Sequence, residues 1–189
     1  MGKSSSGKDS IYKELILKED LNLKSVVIYT TRPRRSNEKE GIQYHFVSAE
    51  RMQEMQSAGQ IIELRSYDTI QGIWYYFTAD DEYIDLEHEN YLMLGTLESY
   101  RKMREYYGAQ RIIPVYIEVE DGERLTRALE REKSQTVPQY EEMCRRFLAD
   151  QKDFSEEKIL DAGINRRFLN NGKMQACVEE IATFIRENR

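Results

Sequence analysis

Nothing later in this chain constrains its fold as much as the first ten residues. Gly2-Lys3-Ser4-Ser5-Ser6-Gly7-Lys8 fits the spacing GxxxxGK, and Asp9-Ser10 then runs into a helical pattern from Asp9 to Leu17. Glycines at both ends of such a string let the backbone curl around a phosphate. The loop amides and the helix terminus then point at the anion, and Lys8 adds a mobile positive charge for the β- and γ-phosphates of a nucleotide. The spacing makes Gly2, Lys3, Ser4, Ser5, Ser6, Gly7, Lys8, Asp9 and Ser10 the candidate ATP-binding residues. A Ser or Thr hydroxyl normally follows the lysine and meets Mg2+; here Asp9 stands in that place, so the metal contact passes to Ser10 or runs through a water on Asp9. A loop of this kind is delivered by a buried strand, yet only Met1 precedes Gly2. The expectation is that the natural polypeptide begins several residues upstream with a β-branched or aromatic run.

The rest of the chain alternates in the way such a loop requires. Ser25 to Thr30 is rich in β-branched residues and reads as a strand, Gln43 to Val47 as another. Ser48 is placed to cap a helix over Glu50 to Ala58 that stops at Gly59. Strands are expected at Ile61 to Ser66, Gly72 to Thr78 and Tyr91 to Gly95, then a helix at Leu97 to Tyr107 and a parallel-type strand at Ile112 to Val119. Glu123 to Lys133 and Gln139 to Lys152 form a helical pair, Arg167 to Asn170 is a short strand, and Lys173 to Glu187 closes the chain as a helix. Strands alternating with helices predict an α/β fold with a mostly parallel sheet and helices on both faces.

Composition excludes several classes. A chain of 189 residues, 40% hydrophobic and 33% charged, suits one folded domain and no disordered or fibrous form. No apolar run approaches the roughly 20 residues that cross a bilayer, and the amino terminus carries no apolar segment of signal-peptide type, so a cytoplasmic chain without membrane partners is expected. Cys144 and Cys177 form no ligand cluster and read as reduced thiols. A net charge of −6 disfavours nucleic acid as a partner.

A second constellation follows the first strand: Thr30-Thr31-Arg32-Pro33-Arg34-Arg35, then Gly41-Ile42-Gln43-Tyr44-His45-Phe46-Val47-Ser48. Two arginines on one loop can fork onto the oxygens of a monophosphate, and a tyrosine hydroxyl adds a neutral donor. This run resembles the TTRxxR…GxxYxFVS signature of the guanylate kinases, and with the phosphate loop the resemblance spans nearly the whole chain. It implies a P-loop kinase with an inserted lobe for the nucleoside monophosphate and a helical lid. On that division residues 1–30, 81–120 and 151–189 form the core, 31–80 the acceptor lobe and 121–150 the lid.

The resemblance also implies roles. Arg32, Arg35, Tyr44 and Tyr76 would hold the acceptor phosphate, Glu63 would accept from the guanine ring edge, and Thr78 would touch the base. Lys8 and the lid arginines, of which Arg131 and Arg146 rank ahead of Arg127 and Arg145, would stabilise the transferring phosphoryl group, with Mg2+ accompanying ATP through Ser10. Phe168-Leu169-Asn170-Asn171 resembles the family's segment beside the adenine. His45 reads as scaffold. The chain also departs from the pattern: Phe77 replaces a glycine, the stretch from Glu63 to Tyr76 is several residues longer, no aspartate lies in 91–96 for a second guanine contact, and Ile28 takes the place of a serine. GMP is the favoured acceptor, and a related monophosphate stays open. Two other readings remain, a non-catalytic module of the same fold that binds a phosphorylated partner and a P-loop kinase with another phosphorylated acceptor.

Overall fold

The computed structural model describes residues 1–69 and 72–188. It is an α/β structure whose described residues form two compact units. The first comprises residues 1–23, 94–101 and 112–189, the second 24–93 and 102–111. The helical pair thus belongs with the phosphate loop, and residues 24–30 and 81–93 go with the acceptor strands. The described part of the expected lobe, 31–80, excludes residues 70 and 71, and that of the core segment 151–189 excludes residue 189.

In the first unit Gly7 opens helix α1 (Lys8–Ile16), as the sequence expects. Its paired strands β7 (Tyr116–Glu118) and β8 (Arg167–Leu169) run parallel, Tyr116 opposite Arg167 and Ile117 opposite Phe168. Met1 lies along β7: its nitrogen donates to the Val115 carbonyl at 2.8 Å and its carbonyl accepts from the Ile117 amide at 2.9 Å. The expected strand at 112–119 shrinks to three residues. Pro114 sits in its first half and has no N–H to give a ladder. Leu97, Tyr100, Tyr116, Phe154, Ile159, Ala162 and Ile164 form one buried cluster. Two of them, Ile159 and Ala162, sit in and just after α6 (Glu156–Asp161), a helix capped by Ser155 and too short to show a period in the sequence. The closing helix α7 (Met174–Glu187) buries Cys177, Val178, Ile181, Ala182 and Ile185, a stripe at helical spacing, and packs on α1 and β8.

The second unit is built around a four-stranded mixed sheet in the order β3-β2-β5-β4. Here β2 (Tyr29–Thr30) runs parallel to β3 (His45–Phe46) and antiparallel to β5 (Gly72–Ala79), which pairs antiparallel with β4 (Ile61–Thr69). The expected strand at 25–30 is broken: β1 (Leu23–Ser25) pairs instead with β6 (Asn90–Leu92), so the chain changes sheets between Ser25 and Tyr29. Side chains alternate across a strand, and the register sorts them into rows. Tyr29, Phe77 and Leu64 share one row and pack with Met52 and Met55 of α2 (Ala49–Ser57), whose Ser48 hydroxyl caps the Arg51 amide. Thr30, Tyr76 and Arg65 share the next row, on the opposite face. Helix α3 (Leu97–Tyr107) begins in the first unit and ends in the second. No described helix is long and apolar enough to cross a membrane.

Two helices of the first unit, α4 (Asp121–Lys133) and α5 (Tyr140–Asp153), are tied to the phosphate loop by Arg124. This side chain is 1% exposed, donates from Nε to the Ser4 carbonyl at 3.0 Å and from Nη2 to Asp150 Oδ2 at 3.1 Å, and lies over the Phe147 ring at 4.7 Å. The same Asp150 oxygen accepts from the Ser4 amide at 2.8 Å. Removing one member of a buried pair leaves the other charge uncompensated, so Arg124→Ala is expected to cost about 3–5 kcal/mol and to lower Tm by roughly 6–20 °C. Thermal melting checks this, and an unchanged Tm would show that water replaces the guanidinium at no cost.

Candidate active site

The phosphate loop has the shape its glycines predict. Gly7 adopts a left-handed φ of 82°, and a Cβ there would come within 2.6 Å of Asn170 Nδ2. At Gly2 a Cβ would lie 2.6 Å from the Ile117 carbonyl. Ser5 also takes a left-handed φ, 61°. Asn170, just after β8, holds the turn by donating from Nδ2 to the Ser6 carbonyl at 2.9 Å. No side chain caps α1, and of its first-turn amides that of Ser10 donates to the Gly7 carbonyl at 3.1 Å. Among the described residues the buried hydroxyls of Ser5 and Ser6 and Asn170 Oδ1 have no hydrogen-bond partner. Unpaired donors around a curled backbone at a helix N-terminus fit a phosphate chain.

The polar side chains of the loop divide into two groups. Lys3 is engaged, with Nζ donating to Gln151 Oε1 at 2.6 Å and 3.8 Å from Asp121 Oδ1. Lys8 Nζ is 3.7 Å from Asp9 Oδ2, and Asp9 and Ser10 are exposed on the first turn of α1. No group of three or more His, Cys, Asp or Glu suited to a metal occurs among the described residues. The exposed Ser10 hydroxyl could serve as one oxygen ligand to a cation, since Mg2+ beside nucleotides takes phosphate oxygens, a few protein oxygens and water.

In the second unit the polar face of the sheet gathers most of the expected acceptor residues. Arg32 is 4% exposed; Nη2 reaches Glu38 Oε1 at 2.7 Å, Nη1 donates to the Pro33 carbonyl at 2.9 Å, and the guanidinium lies over Tyr44 at 5.4 Å and Phe46 at 5.7 Å. Tyr44 meets Tyr76 edge-on at 5.6 Å, and burial holds its phenol above the ordinary pKa. Glu63, 5% exposed, accepts from Thr78 Oγ1 at 2.9 Å. Arg35 stands apart: its amide donates to Glu38 Oε2 at 2.8 Å while its side chain is exposed. Expected scaffold His45 lies in hydrogen-bonding reach of Glu40 Oε1 and stacks on Tyr83 at 4.8 Å.

The helical arginines are spread along α4 and α5. Arg127 donates to Glu123 at 2.9 Å and to the Asn170 carbonyl at 2.8 Å. Arg131 is exposed, 3.8 Å from Glu132, while Arg145 and Arg146 share Glu142 at 2.6 and 3.6 Å. Four residues that matter here went unmarked by the sequence patterns. Arg124 and Asp150 fix the loop, and their pairing joins positions 26 residues apart. Glu38 buttresses Arg32, and Arg65 forks onto Glu63. Of these, Arg65 had a signal: Glu63, Arg65 and Tyr67 alternate along one strand, and so share a face.

Known proteins resemble this chain in sequence and in fold. The sequence model of the guanylate kinase family, described as "Guanylate kinase", matches residues 1–187. A guanylate kinase of Porphyromonas gingivalis is 25% identical over 184 residues, covering 96% of this chain and 92% of that protein. One from Clostridioides difficile is 42% identical over 72 residues, 38% of this chain and 35% of that protein. In structure, the guanylate kinase of Anaplasma phagocytophilum superposes with a TM-score of 0.63 at 18% identity, covering 98% of this chain and 82% of that one, which establishes the shared fold. With the family match running over nearly its whole length, the chain belongs to the guanylate kinase family.

Proposed function

We propose that this protein transfers the γ-phosphoryl group of ATP to GMP, giving ADP and GDP. The observation that carries the reading is the polar face of the second unit, where one sheet presents Arg32, Tyr44 and Tyr76 beside the buried Glu63–Thr78 pair. A phosphate-binding group next to a buried carboxylate suits an anionic nucleotide whose base offers N–H donors, and guanine has adjacent ones.

An oxygen of the GMP phosphate attacks the γ-phosphorus, the bond to the bridging oxygen breaks, and ADP departs. The transfer needs little proton chemistry, so positioning and electrostatic stabilisation supply most of the acceleration. The amides of the loop from Gly2 to Ser10 and the Lys8 ammonium would hold the donor phosphates. Arg35, Arg32, Tyr44 and Tyr76 would fix the acceptor phosphate, Glu63 and Thr78 the base, and Arg131 and Arg146 would neutralise the equatorial oxygens when the helical pair closes. Mg2+ would bind with ATP through the Ser10 hydroxyl and offset phosphate charge. Both substrates are freely soluble metabolites, which suits a cytoplasmic enzyme.

Two measurements test the assignment. Arg35→Ala and Tyr44→Phe are expected to raise the KM for GMP while leaving the KM for ATP unchanged, because the proposal assigns both groups to the acceptor phosphate; an unaltered GMP KM in both variants refutes the phosphate site. Glu63→Gln is expected to lower kcat/KM on GMP by about tenfold or more, the value of one charge-assisted hydrogen bond of ~1.5–3 kcal/mol. A coupled ADP-release assay against GMP, dGMP, AMP, UMP and CMP reads both, and GMP turnover unaffected by Glu63→Gln removes that residue from base recognition.

A further inference from the structure

Arg65 has no duty in the acceptor site as proposed, yet it is held on that face by a two-bond ion pair to Glu63. Its Nε donates to Glu63 Oε2 at 3.0 Å and its Nη2 to Glu63 Oε1 at 3.1 Å, a two-bond fork on one carboxylate. Its side chain is 17% exposed and its partner's 3%. In the ladder it stands opposite Tyr76, with Glu63 two residues before it and Tyr67 two after on the same face. Tyr67 meets Tyr76 edge-on at 5.5 Å, and the charge of Arg65 is felt at Tyr44, where it pulls the phenol pKa down against the effect of burial. The guanidinium is therefore among the acceptor residues and not on the back of the sheet.

Neutralising Glu63 accounts for two of the five guanidinium hydrogens. A guanidinium has five N–H donors in one plane, and a fork through Nε and Nη2 leaves three, the second hydrogen of Nη2 and both hydrogens of Nη1, for which the described residues supply no hydrogen-bond acceptor. The fork also brings the guanidinium into line with the carboxylate. A flat base edge that meets Glu63 thus meets N–H donors directly beside an acceptor. Guanine matches that order, with the C6 carbonyl oxygen next to the N1–H. Adenine carries an amino donor at C6, which would confront the guanidinium donors and leave them unpaired in a half-buried place.

We propose that Arg65 reads the base: it donates to the C6 carbonyl oxygen of the acceptor purine, and so selects guanine over adenine. The proposal rests on the reading that this face binds the acceptor nucleotide. Arg65 then acts beside Glu63, the carboxylate recognising ring N–H groups and the guanidinium the carbonyl.

The test compares kcat/KM for GMP, IMP and 2-aminopurine riboside 5′-monophosphate, which lacks the C6 oxygen and with it the N1–H that Glu63 would accept, in the wild-type chain, Arg65→Met and Arg65→Lys. Wild type is expected to prefer GMP to the 2-aminopurine nucleotide by at least about tenfold, as one hydrogen bond to a charged donor implies. In Arg65→Met that preference should fall about tenfold from its wild-type value, the remainder reflecting the N1–H at Glu63, while the preference for GMP over IMP, which differ only in the 2-amino group, persists. Arg65→Lys keeps a donor and should retain part of the carbonyl preference. Should Arg65→Met lose activity on all three nucleotides by one common factor, the arginine merely positions Glu63 and the base-reading role falls. If Arg65→Met fails to fold, judged by its thermal melt, the Arg65→Lys ratio decides: a carbonyl preference equal to that of wild type, with all rates lowered together, overturns the role. A wild-type chain that phosphorylates AMP or a pyrimidine nucleotide in place of GMP overturns the acceptor reading itself and this inference with it, and that result is visible before any variant is compared.

Discussion

The Ser4 peptide is gripped from both sides: Asp150 accepts its amide hydrogen, Arg124 donates to its carbonyl, and the two side chains pair with each other. A loop that binds phosphate through backbone amides can spend only some of them on its own shape, here those of Ser4 and Ser6. Something outside the loop has to hold its shape. Here that burden falls on one buried arginine and one carboxylate at the middle of the loop, and on Asn170 at its end, which bonds the Ser6 carbonyl. Such groups are costly to bury singly and stable only as a closed set, which is why the charge of Arg124 is met by Asp121, Asp150 and a ring face together. The helices α4 and α5 thereby serve the loop through their buried faces while their exposed arginines remain available to solvent or to a ligand.

The acceptor unit solves a different problem with a two-faced sheet. Each row across β2, β5 and β4 alternates between a greasy set, Tyr29–Phe77–Leu64, and a polar set, Thr30–Tyr76–Arg65. The greasy rows are covered by Met52 and Met55 of α2. This leaves the polar rows to gather charges that would otherwise repel or be desolvated without compensation. Arg32 is satisfied by Glu38 and two rings, and Glu63 by Arg65 and Thr78. Arg32 and Glu63 each have a counter-charge on the face, so these pairs hold its shape without a ligand.

Some of this was open to reading from the residues. The GxxxxGK spacing places a curled backbone before a helix because only glycine tolerates the conformations and close approaches found at Gly2 and Gly7. Ser48, Gly59 and the helical stripes at α3 and α7 are likewise local matters of capping and period. Arg32, Tyr44 and Glu63 could be marked because their types suit a phosphate and a base edge. Strand bounds were less legible: a run such as 25–30 has strand chemistry throughout, and nothing local tells that its two ends pair in different sheets.

By itself, then, the sequence determined the phosphate loop and the longer helices, and it marked side chains whose types suit a monophosphate, since each follows from chemistry within a few neighbouring residues. Only the tertiary structure decided which charges meet. Asp150 finds Ser4 across 146 positions and Asn170 finds Ser6 across 164, contacts that no periodicity encodes. The hairpin of β4 and β5 sets Glu63 against Thr78 and Arg65 against Tyr76, so that an arginine whose alternation with Glu63 fixed only its side of the strand becomes the partner of a buried carboxylate. Burial and pairing are properties of the folded neighbourhood, and there the same side chain changes from solvated charge to directional donor.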